Sequence, residues 1–122
     1  MEKIISILHI AECAGGVERY LQMLLPRLEQ CGFRQYFICS LDYDKRKYQD
    51  IVDDVEQIDM KQTFSPLYVI KKICEIRKVI KRKHPDVVYC HSSFAGGLGR
   101  MAAAGLPCKV VYNPHGWAFN MK

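Results

Sequence analysis

A pair of glycines marks the first stretch that could bind a ligand. The run Ala14-Gly15-Gly16-Val17-Glu18-Arg19 lies where an apolar stretch gives way to helical spacing. Glycine lets a ligand approach the backbone, and the free N–H groups at the start of a helix attract phosphate. We therefore expect a ligand that carries phosphate to lie against Gly15 and Gly16. A tight turn that binds nothing would explain the same glycines.

A second polar group follows the apolar run at residues 86–90. His91 and Ser92 could bind a polar ligand or a phosphate oxygen, since imidazole and hydroxyl groups both form hydrogen bonds. The serine hydroxyls could equally cap a helix, and His91 could be a partly buried imidazole with satisfied hydrogen bonds. His9, inside the first apolar run, is expected to be structural.

The third candidate is the motif Asn113-Pro114-His115-Gly116-Trp117-Ala118-Phe119, in which residues that turn the chain present a histidine just past a strand. We expect Asn113 and His115 to reach a ligand there. Gly116 lets a bulky ligand lie close, and Trp117 can stack on a sugar face or line a pocket. Packing of the aromatic rings onto the domain is the alternative interpretation.

The run Pro66–Lys83 predicts a basic amphipathic helix. Opposite its apolar side we place five residues: Lys71, Lys72, Lys78, Arg82 and Lys83. Such a face can rest on anionic lipid headgroups, with about 1 kcal/mol from each nearby cation. A core-packed helix with a solvated outer face is the ordinary alternative. Nucleic acid is not an expected partner, because no aromatic residue interleaves with the basic face.

Composition limits the classes of protein. The 122 residues, 49% hydrophobic, suit one small domain. Residues 1–60 carry 7 Lys and Arg against 11 Asp and Glu, a net −4, whereas residues 61–122 carry 11 against 2, a net +9. The apolar runs are far shorter than the roughly 20 residues of a membrane span, so we expect a cytoplasmic chain that is at most peripheral at the inner membrane face. The cysteine spacing predicts no metal site and reduced, mostly buried thiols.

Apolar runs alternate with helical ones along the chain. We predict strands over 3–10, 36–41, 55–60, 86–91 and 108–113, and helices over 17–31, over 66–83 and from 92–93 through 104. Pro26 should kink or break the first helix. The alternation predicts an α/β fold, a Rossmann-like parallel sheet with helices on both faces. Ligands bind beyond the carboxyl ends of such strands, where the three candidate segments should converge.

Together these segments resemble the N-terminal domain of a family 4 glycosyltransferase of the GT-B fold, of the bacterial polysaccharide type. The resemblance rests on residues 15–19, 85–92 and 110–116 and covers nearly the whole chain. It implies a retaining transfer of sugar from a nucleotide diphosphate sugar, the co-substrate, to a glycan or lipid-linked acceptor in capsule, exopolysaccharide or lipopolysaccharide synthesis. No cofactor or metal is implied. In that pattern Gly15 and Gly16 would lie against the donor phosphates or the acceptor, and Arg19 would contact an anion. His115 would be the catalytic residue, facing the donor sugar, and Ser92 would be of secondary importance.

The family pattern continues well beyond residue 116. The resemblance implies that the last strands and the whole C-terminal domain, which grips the nucleotide, are absent from these 122 residues. We therefore expect an incomplete, acceptor-side domain that is inactive alone and whose partner is the missing domain. Trp117, Phe119 and the last strand edge would then favour self-association.

Two other classes of protein stay open. A non-catalytic Rossmann-like binding or regulatory module would show the same alternation of strands and helices. A nicotinamide-dependent dehydrogenase is disfavoured, because the third glycine of G-x-G-x-x-G is missing and the first acidic residue after the second strand is Asp42.

Overall fold

The computed structural model describes residues 4–12, 16–41, 43–60, 65–91 and 93–112. Five strands and three α-helices alternate in this part of the chain. In order they are β1 (Ser6–Ala11), α1 (Gly16–Gln30), β2 (Arg34–Cys39), β3 (Asp54–Gln57), α2 (Pro66–Lys83), β4 (Val87–Cys90), α3 (Ser93–Ala103) and β5 (Lys109–Tyr112), with a 3₁₀ turn over Lys45–Lys47 before β3. Every predicted strand and helix has a counterpart.

The strands form one sheet in the order β3-β2-β1-β4-β5, and each neighbouring pair is parallel. The predicted parallel Rossmann-like sheet is therefore confirmed. From β1 the chain adds strands first on one side, with β2 and β3, and then on the other, with β4 and β5. This reversal opens a crevice beyond the carboxyl ends of β1 and β4, which is where ligands bind in open α/β sheets. We call it the switch-point crevice.

Side chains alternate between the two faces of the sheet, and each face has its own core. Leu8 and Ile10 pack into an apolar cluster with buried residues of α2 and α3, such as Ile76 and Leu98. On the other face, Ala11 belongs to a cluster formed by α1, β2, β3 and the segment before β3. Helices thus cover both faces, as predicted.

Pro26 lies inside α1, which runs without a break from Gly16 to Gln30. The expected break is therefore wrong, and a kink at Pro26 stays a prediction. Proline removes one backbone donor from the helix, but Leu21 and Leu25 of the same helix are fully buried against the sheet. Their packing stabilises the helix across the proline. α1 ends where predicted, since Gly32 has a φ of 90° and the N–H of Phe33 donates to the Leu28 carbonyl.

Pairing sets the lengths of the strands. β1 begins at Ser6 rather than at residue 3, because Ser6 is the partner of Arg34, the first residue of β2. β3 ends at Gln57 rather than at residue 60, because its partner there is Cys39, the last residue of β2. The apolar runs in the sequence continue past these points, so apolar character alone overestimated both strands.

Two glycines bring α3 unusually close to the sheet. A Cβ atom at Gly96 would lie 2.6 Å from the ring of Tyr112 on β5, and one at Gly99 would lie 2.5 Å from the Sγ atom of Cys90 on β4. The three-residue spacing puts both glycines on one face of the helix. This close approach fixes the start of α3 beside the carboxyl end of β4.

Candidate functional site

The carboxyl ends of β1, β4 and β5 lie side by side. Ile10 pairs with Cys90, and Cys90 pairs with Tyr112. The backbone N–H of His91 then donates to the carbonyl of Ile10 at 2.9 Å. Glu12 and Tyr112, which precede the first and third candidate segments, therefore lie along one edge of the sheet with His91, which begins the second. For the described residues this is the predicted arrangement.

Beneath this edge a chain of hydrogen bonds links two histidines and a glutamine. The Nδ1 atom of His9 lies 2.9 Å from Nε2 of His91, and the Nε2 atom of His9 lies 2.9 Å from Oε1 of Gln35. At the far end, Nε2 of Gln35 donates to the backbone carbonyl of Leu25 in α1 at 2.9 Å. All three side chains are at most 1% exposed. We call His9, His91 and Gln35 the histidine relay.

Two tyrosine rings pack against the His91 end of the relay. The Tyr89 ring stacks on His91 with centroids 4.1 Å apart and planes 6° from parallel. The hydroxyl of Tyr89 is 3.2 Å from that of Tyr20 on α1, whose ring also lies near His91, at 6.1 Å. The position of His91 is thus defined from β1, β4 and α1 together.

Burial lowers the pKa of His9 to about 4, although the hydrogen bond with Gln35 acts in the opposite direction. Removing a cationic imidazole from water is costly, so the neutral ring is preferred. His9 is therefore neutral at physiological pH. A neutral imidazole carries a proton on one nitrogen only, which gives the relay a definite donor and acceptor at each step.

His91 corresponds to the alternative left open by the sequence, a buried imidazole with a hydrogen-bond partner. Its side chain has 0% exposure, so the expectation that it touches donor or acceptor directly is corrected. The physical reason is the strand alternation: His91 shares the α1 face of the sheet with His9, and the helix covers it. His9 is buried and hydrogen-bonded, as expected for a structural residue.

The other predicted ligand-binding residues divide into two groups. Gly16 is the first residue of α1, and Arg19 is exposed in its first turn, both close to the switch-point crevice. Their contacts with a ligand stay predictions. Gly15, Ser92, Asn113, His115, Gly116 and Trp117 lie outside the described residues, as do Asp42 and Phe119.

Two features of this edge were missed by the sequence reasoning. Glu12, directly after β1, is only 5% exposed and is a carboxylate beside the switch-point crevice. Tyr48 is fully buried, and its hydroxyl donates to Oε2 of Glu18, in the first turn of α1, at 2.8 Å. The position of Glu12 immediately after the first apolar run could have signalled it. No local pattern links Tyr48 with a residue 30 positions earlier.

The basic helix α2 presents fewer cations than predicted on its outer face. Lys71, Lys78 and Arg82 are exposed as expected, and Lys81 joins them. Arg82 also forms an ion pair with Glu56. Among the residues of this face are two large exposed aliphatic side chains, Leu67 at 82% and Ile70 at 56% exposure. We define the outer face of α2 as Leu67, Ile70, Lys71, Cys74, Lys78, Lys81 and Arg82.

The outward placement of Lys72 and Lys83 is wrong. Lys72 is 8% exposed, pairs with Glu75 at 3.0 Å and lies over the Tyr68 ring. Lys83 pairs with Asp54 on β3 at 2.5 Å and lies over a tyrosine of β2. Both lysines are three or four residues from buried members of α2, so helical spacing places them on the covered side.

Two cavities lie at the opposite edge of the sheet, away from the switch-point crevice. One of about 280 Å³ is lined by residues that include His84, Asp86 and Cys108, and one of about 320 Å³ lies beside Gly32 and Asp53. These residues precede strands rather than follow them. We place the candidate site at the carboxyl edge because the ligand-binding position of an open parallel sheet is there.

Within the described ranges, no group of three or more His, Cys, Asp or Glu residues is arranged to hold a metal ion. The five cysteines in these ranges are free thiols. Cys39 and Cys90 are buried, whereas Cys31 and Cys74 are exposed, so the prediction of mostly buried thiols holds only in part.

Comparison with known proteins identifies the family of this chain. Residues 14–121 match the model of Glycosyltransferase Family 4. The chain belongs to that family. As the resemblance in the sequence implied, it is an N-terminal domain of the family 4 type.

Individual relatives cover the chain to different extents. Over 52 residues, or 41% of this chain, it is 46% identical to the UDP-Gal:alpha-D-GlcNAc-diphosphoundecaprenol alpha-1,3-galactosyltransferase of Escherichia coli. A glycosyltransferase from Rickettsia africae superposes on 93% of it, with a TM-score of 0.73 and 21% identity. The UDP-GlcNAc 2-epimerase of Methanocaldococcus jannaschii superposes on 88%, with a TM-score of 0.70 and 18% identity. The two structures share the fold and differ in their reactions.

The family 4 domain spans only part of each relative. It covers 13% of the E. coli galactosyltransferase, 30% of the Rickettsia protein and 31% of the epimerase. The switch-point crevice therefore corresponds to a region within much longer proteins.

Proposed function

We propose that the chain is the acceptor-side part of a retaining hexosyltransferase that moves a sugar from a nucleotide diphosphate sugar to a lipid-linked glycan in cell-surface polysaccharide synthesis. The observation that carries this proposal is the family 4 match over residues 14–121. The name of the E. coli relative pairs a UDP-linked sugar with a diphosphoundecaprenol-linked acceptor, which supports a lipid-linked acceptor here.

The geometry of the edge suits anionic substrates. α1 begins at Gly16 after β1, and α3 begins at Ser93 after β4, so both helices start beside the switch-point crevice. Helix N-termini offer free N–H groups and a positive partial charge, which favour phosphate groups. A nucleotide diphosphate and a diphosphate-linked acceptor both carry such groups. In this proposal Gly15 and Gly16 approach them, and Arg19 adds a cation.

The chemical step is assigned to His115. Its imidazole would hydrogen-bond a donor sugar hydroxyl and stabilise the charge that develops as the diphosphate leaves. The nucleotide and the leaving diphosphate need further groups from a second domain. We therefore propose that the 122 residues alone do not turn over substrate.

NMR mapping tests this proposal. ¹⁵N-labelled chain is titrated with UDP-galactose and with a short-chain GlcNAc-diphosphoprenol, and turnover is assayed in the same samples. We expect shifts at the carboxyl edge, including Glu12, His91 and Tyr112, without galactose transfer. Shifts confined to the opposite edge, or none with either compound, would contradict the proposed substrates. Transfer at ordinary enzymatic rates would contradict the need for a second domain.

We also propose that the outer face of α2 docks on anionic lipid. It combines two exposed aliphatic side chains near the start of the helix with four cations farther along, and the only acidic residue of the helix, Glu75, pairs with Lys72 away from this face. None of the described helices is long and apolar enough to cross a bilayer. Contact through an amphipathic face needs no spanning helix.

Cys74 gives a direct test, because its exposed thiol lies in the middle of this face. A polarity-sensitive fluorophore on Cys74 is compared with the same fluorophore on Cys31, which is exposed just after α1. In each chain the other of these two cysteines and Cys13 are replaced by serine. We expect anionic vesicles to shift the emission from Cys74 and leave that from Cys31 unchanged. Equal responses with neutral and anionic vesicles would remove the electrostatic argument.

A further inference from the structure

The histidine relay has one arrangement of protons. The Leu25 carbonyl can only accept, so the Gln35 amide must turn its Nε2 atom toward Leu25 and its Oε1 atom toward His9. Because Oε1 also only accepts, the proton of His9 sits on Nε2. The reverse amide orientation would bring two acceptors together at Leu25.

The position of the proton on His9 determines whether Nε2 of His91 carries a proton. Neutral His9 with a proton on Nε2 has a bare Nδ1 atom, which must accept the hydrogen bond from His91. The Nε2 atom of His91 therefore carries a proton.

This series of hydrogen bonds runs across the centre of the sheet. It starts at the Leu25 carbonyl in the second half of α1, passes through Gln35 on β2 and His9 on β1, and ends at His91 directly after β4. The relay thus links the second half of α1 to the residue that follows β4 at the switch-point crevice.

A merely space-filling role does not require these residues. Apolar side chains of similar size would fill the same volume without having to satisfy buried polar atoms. A satisfied buried network instead fixes one arrangement of its members, because every other orientation leaves a donor or an acceptor unpaired.

We propose that the histidine relay is a positioning device for the switch-point crevice, which fixes a proton on Nε2 of His91 and holds His91 at a set distance from α1. This inference rests on the proposed function for the importance of the crevice. His9, Gln35 and His91 act through the geometry of the edge and are positioning residues.

The first test uses the unmodified chain. Long-range ¹H–¹⁵N spectra of ¹⁵N-histidine protein distinguish protonated from bare ring nitrogens. At neutral pH we expect both His9 and His91 to carry the proton on Nε2. A proton on Nδ1 of His9 would overturn the relay.

The second test separates positioning from general stability. Gln35→Met removes both hydrogen bonds of the amide, and Val55→Ala is the matched control, because Val55 is 3% exposed on the same face and forms no part of the relay. We expect Gln35→Met to move His9 toward a mixture of tautomers. Amide exchange at residues 91 and 95–98 should also be accelerated about tenfold relative to Val55→Ala, as the loss of a buried hydrogen bond implies. The same tautomers and exchange pattern in both variants would overturn the proposal.

A second variant changes the relay only at its Leu25 end. Gln35→Glu loses the donor to the Leu25 carbonyl but keeps an acceptor for the Nε2–H group of His9, so we expect Nε2 of His9 to stay protonated, and loss of that proton would contradict the relay. None of these readouts requires a sugar ligand. A chain that passes them and binds neither UDP-galactose nor the prenyl acceptor would refute the proposed function and leave the relay intact.

Discussion

Gly99 on α3 faces Cys90 on β4 so closely that a Cβ atom on the glycine would come within 2.5 Å of Sγ. A non-bonded Cβ atom essentially never lies so close to another atom, so any larger residue at position 99 must displace the Cys90 side chain, the helix or the strand. The contact lies one residue before His91. The position of the carboxyl edge of β4 therefore depends on the absence of a side chain at Gly99.

Gly99→Ala should destabilise the fold by about 1–3 kcal/mol, the usual cost of an extra methyl group in a packed contact. Gly97→Ala is the matched control, because a Cβ atom there meets nothing within 4 Å. At that exposed helical position alanine should stabilise by about 0.5–1 kcal/mol. Urea unfolding followed by circular dichroism measures both changes. Equal effects of the two substitutions would contradict the close packing of α3.

Acid should destabilise the fold through His9. Burial lowers its pKa to about 4 in the folded chain, from 6.5 in the unfolded one, so the unfolded chain binds a proton more readily. The contribution of this group to stability is complete above about pH 6.5 and falls by up to about 3 kcal/mol as the pH drops toward 4. Urea unfolding at about pH 7.5 and about pH 5 measures the loss.

The variant His9→Asn isolates this pH effect. Without an ionisable group at position 9, the loss of stability between the two pH values should shrink by about 2 kcal/mol. His84→Asn is the control, since His84 is exposed and asparagine tolerates its left-handed backbone. A His9→Asn variant with the pH dependence of the unmodified chain would show that His9 does not resist protonation.

Tyr48→Phe should loosen the start of α1. The substitution removes the 2.8 Å hydrogen bond to Glu18 and leaves the buried ring in place. Loss of a hydrogen bond to a charged group costs about 1.5–3 kcal/mol, which urea unfolding detects. Glu18→Gln keeps an acceptor for the hydroxyl and should cost less. An equal or greater loss with Glu18→Gln would show that the hydroxyl is not the stabilising contact.

Removing cations from the outer face of α2 should weaken binding to anionic vesicles. The triple variant Lys71→Gln/Lys78→Gln/Lys81→Gln should lower the partition coefficient roughly a hundredfold, at about 1 kcal/mol for each lysine. Lys45→Gln/Arg46→Gln/Lys47→Gln removes the same charge from the exposed 3₁₀ turn. Co-sedimentation compares the two. Equal losses would mean that net charge, not this face, attracts the lipid.

The fold could be predicted from the sequence because its signals are local. Strand-like apolar runs, the helical spacing of residues 66–83 and the helix stop at His84-Pro85 each depend on neighbours in the chain. The order of the candidate segments also indicated the common edge, since parallel strands end on the same side. Where local signals failed, pairing or packing between distant elements decided the structure, as at Pro26 and at the ends of β1 and β3.

The candidate site could be predicted only in outline. His9 lies 26 residues from Gln35 and 82 from His91, and no pattern in the sequence joins them. The burial of Lys72 could have been predicted from its four-residue spacing to Ile76, which puts both residues on one face of the helix. Lysine is usually exposed, but here Glu75 and the Tyr68 ring interact with its buried ammonium group. Likewise, the spacing of Gly96 and Gly99 marks a helix face that approaches another element closely.

One face of the sheet is aliphatic and the other contains polar side chains, and this difference favours one pairing register of β1. Leu8 and Ile10 enter a layer of aliphatic side chains, whereas His9 enters the layer that contains Gln35 and His91. A shift of β1 by one residue would exchange these faces. The imidazole would then be forced into hydrocarbon, with no donor or acceptor to meet it, while two aliphatic side chains met the amide. A shifted β1 is therefore destabilised on both faces of the sheet. The histidine relay thus favours the correct pairing of β1 while the sheet assembles.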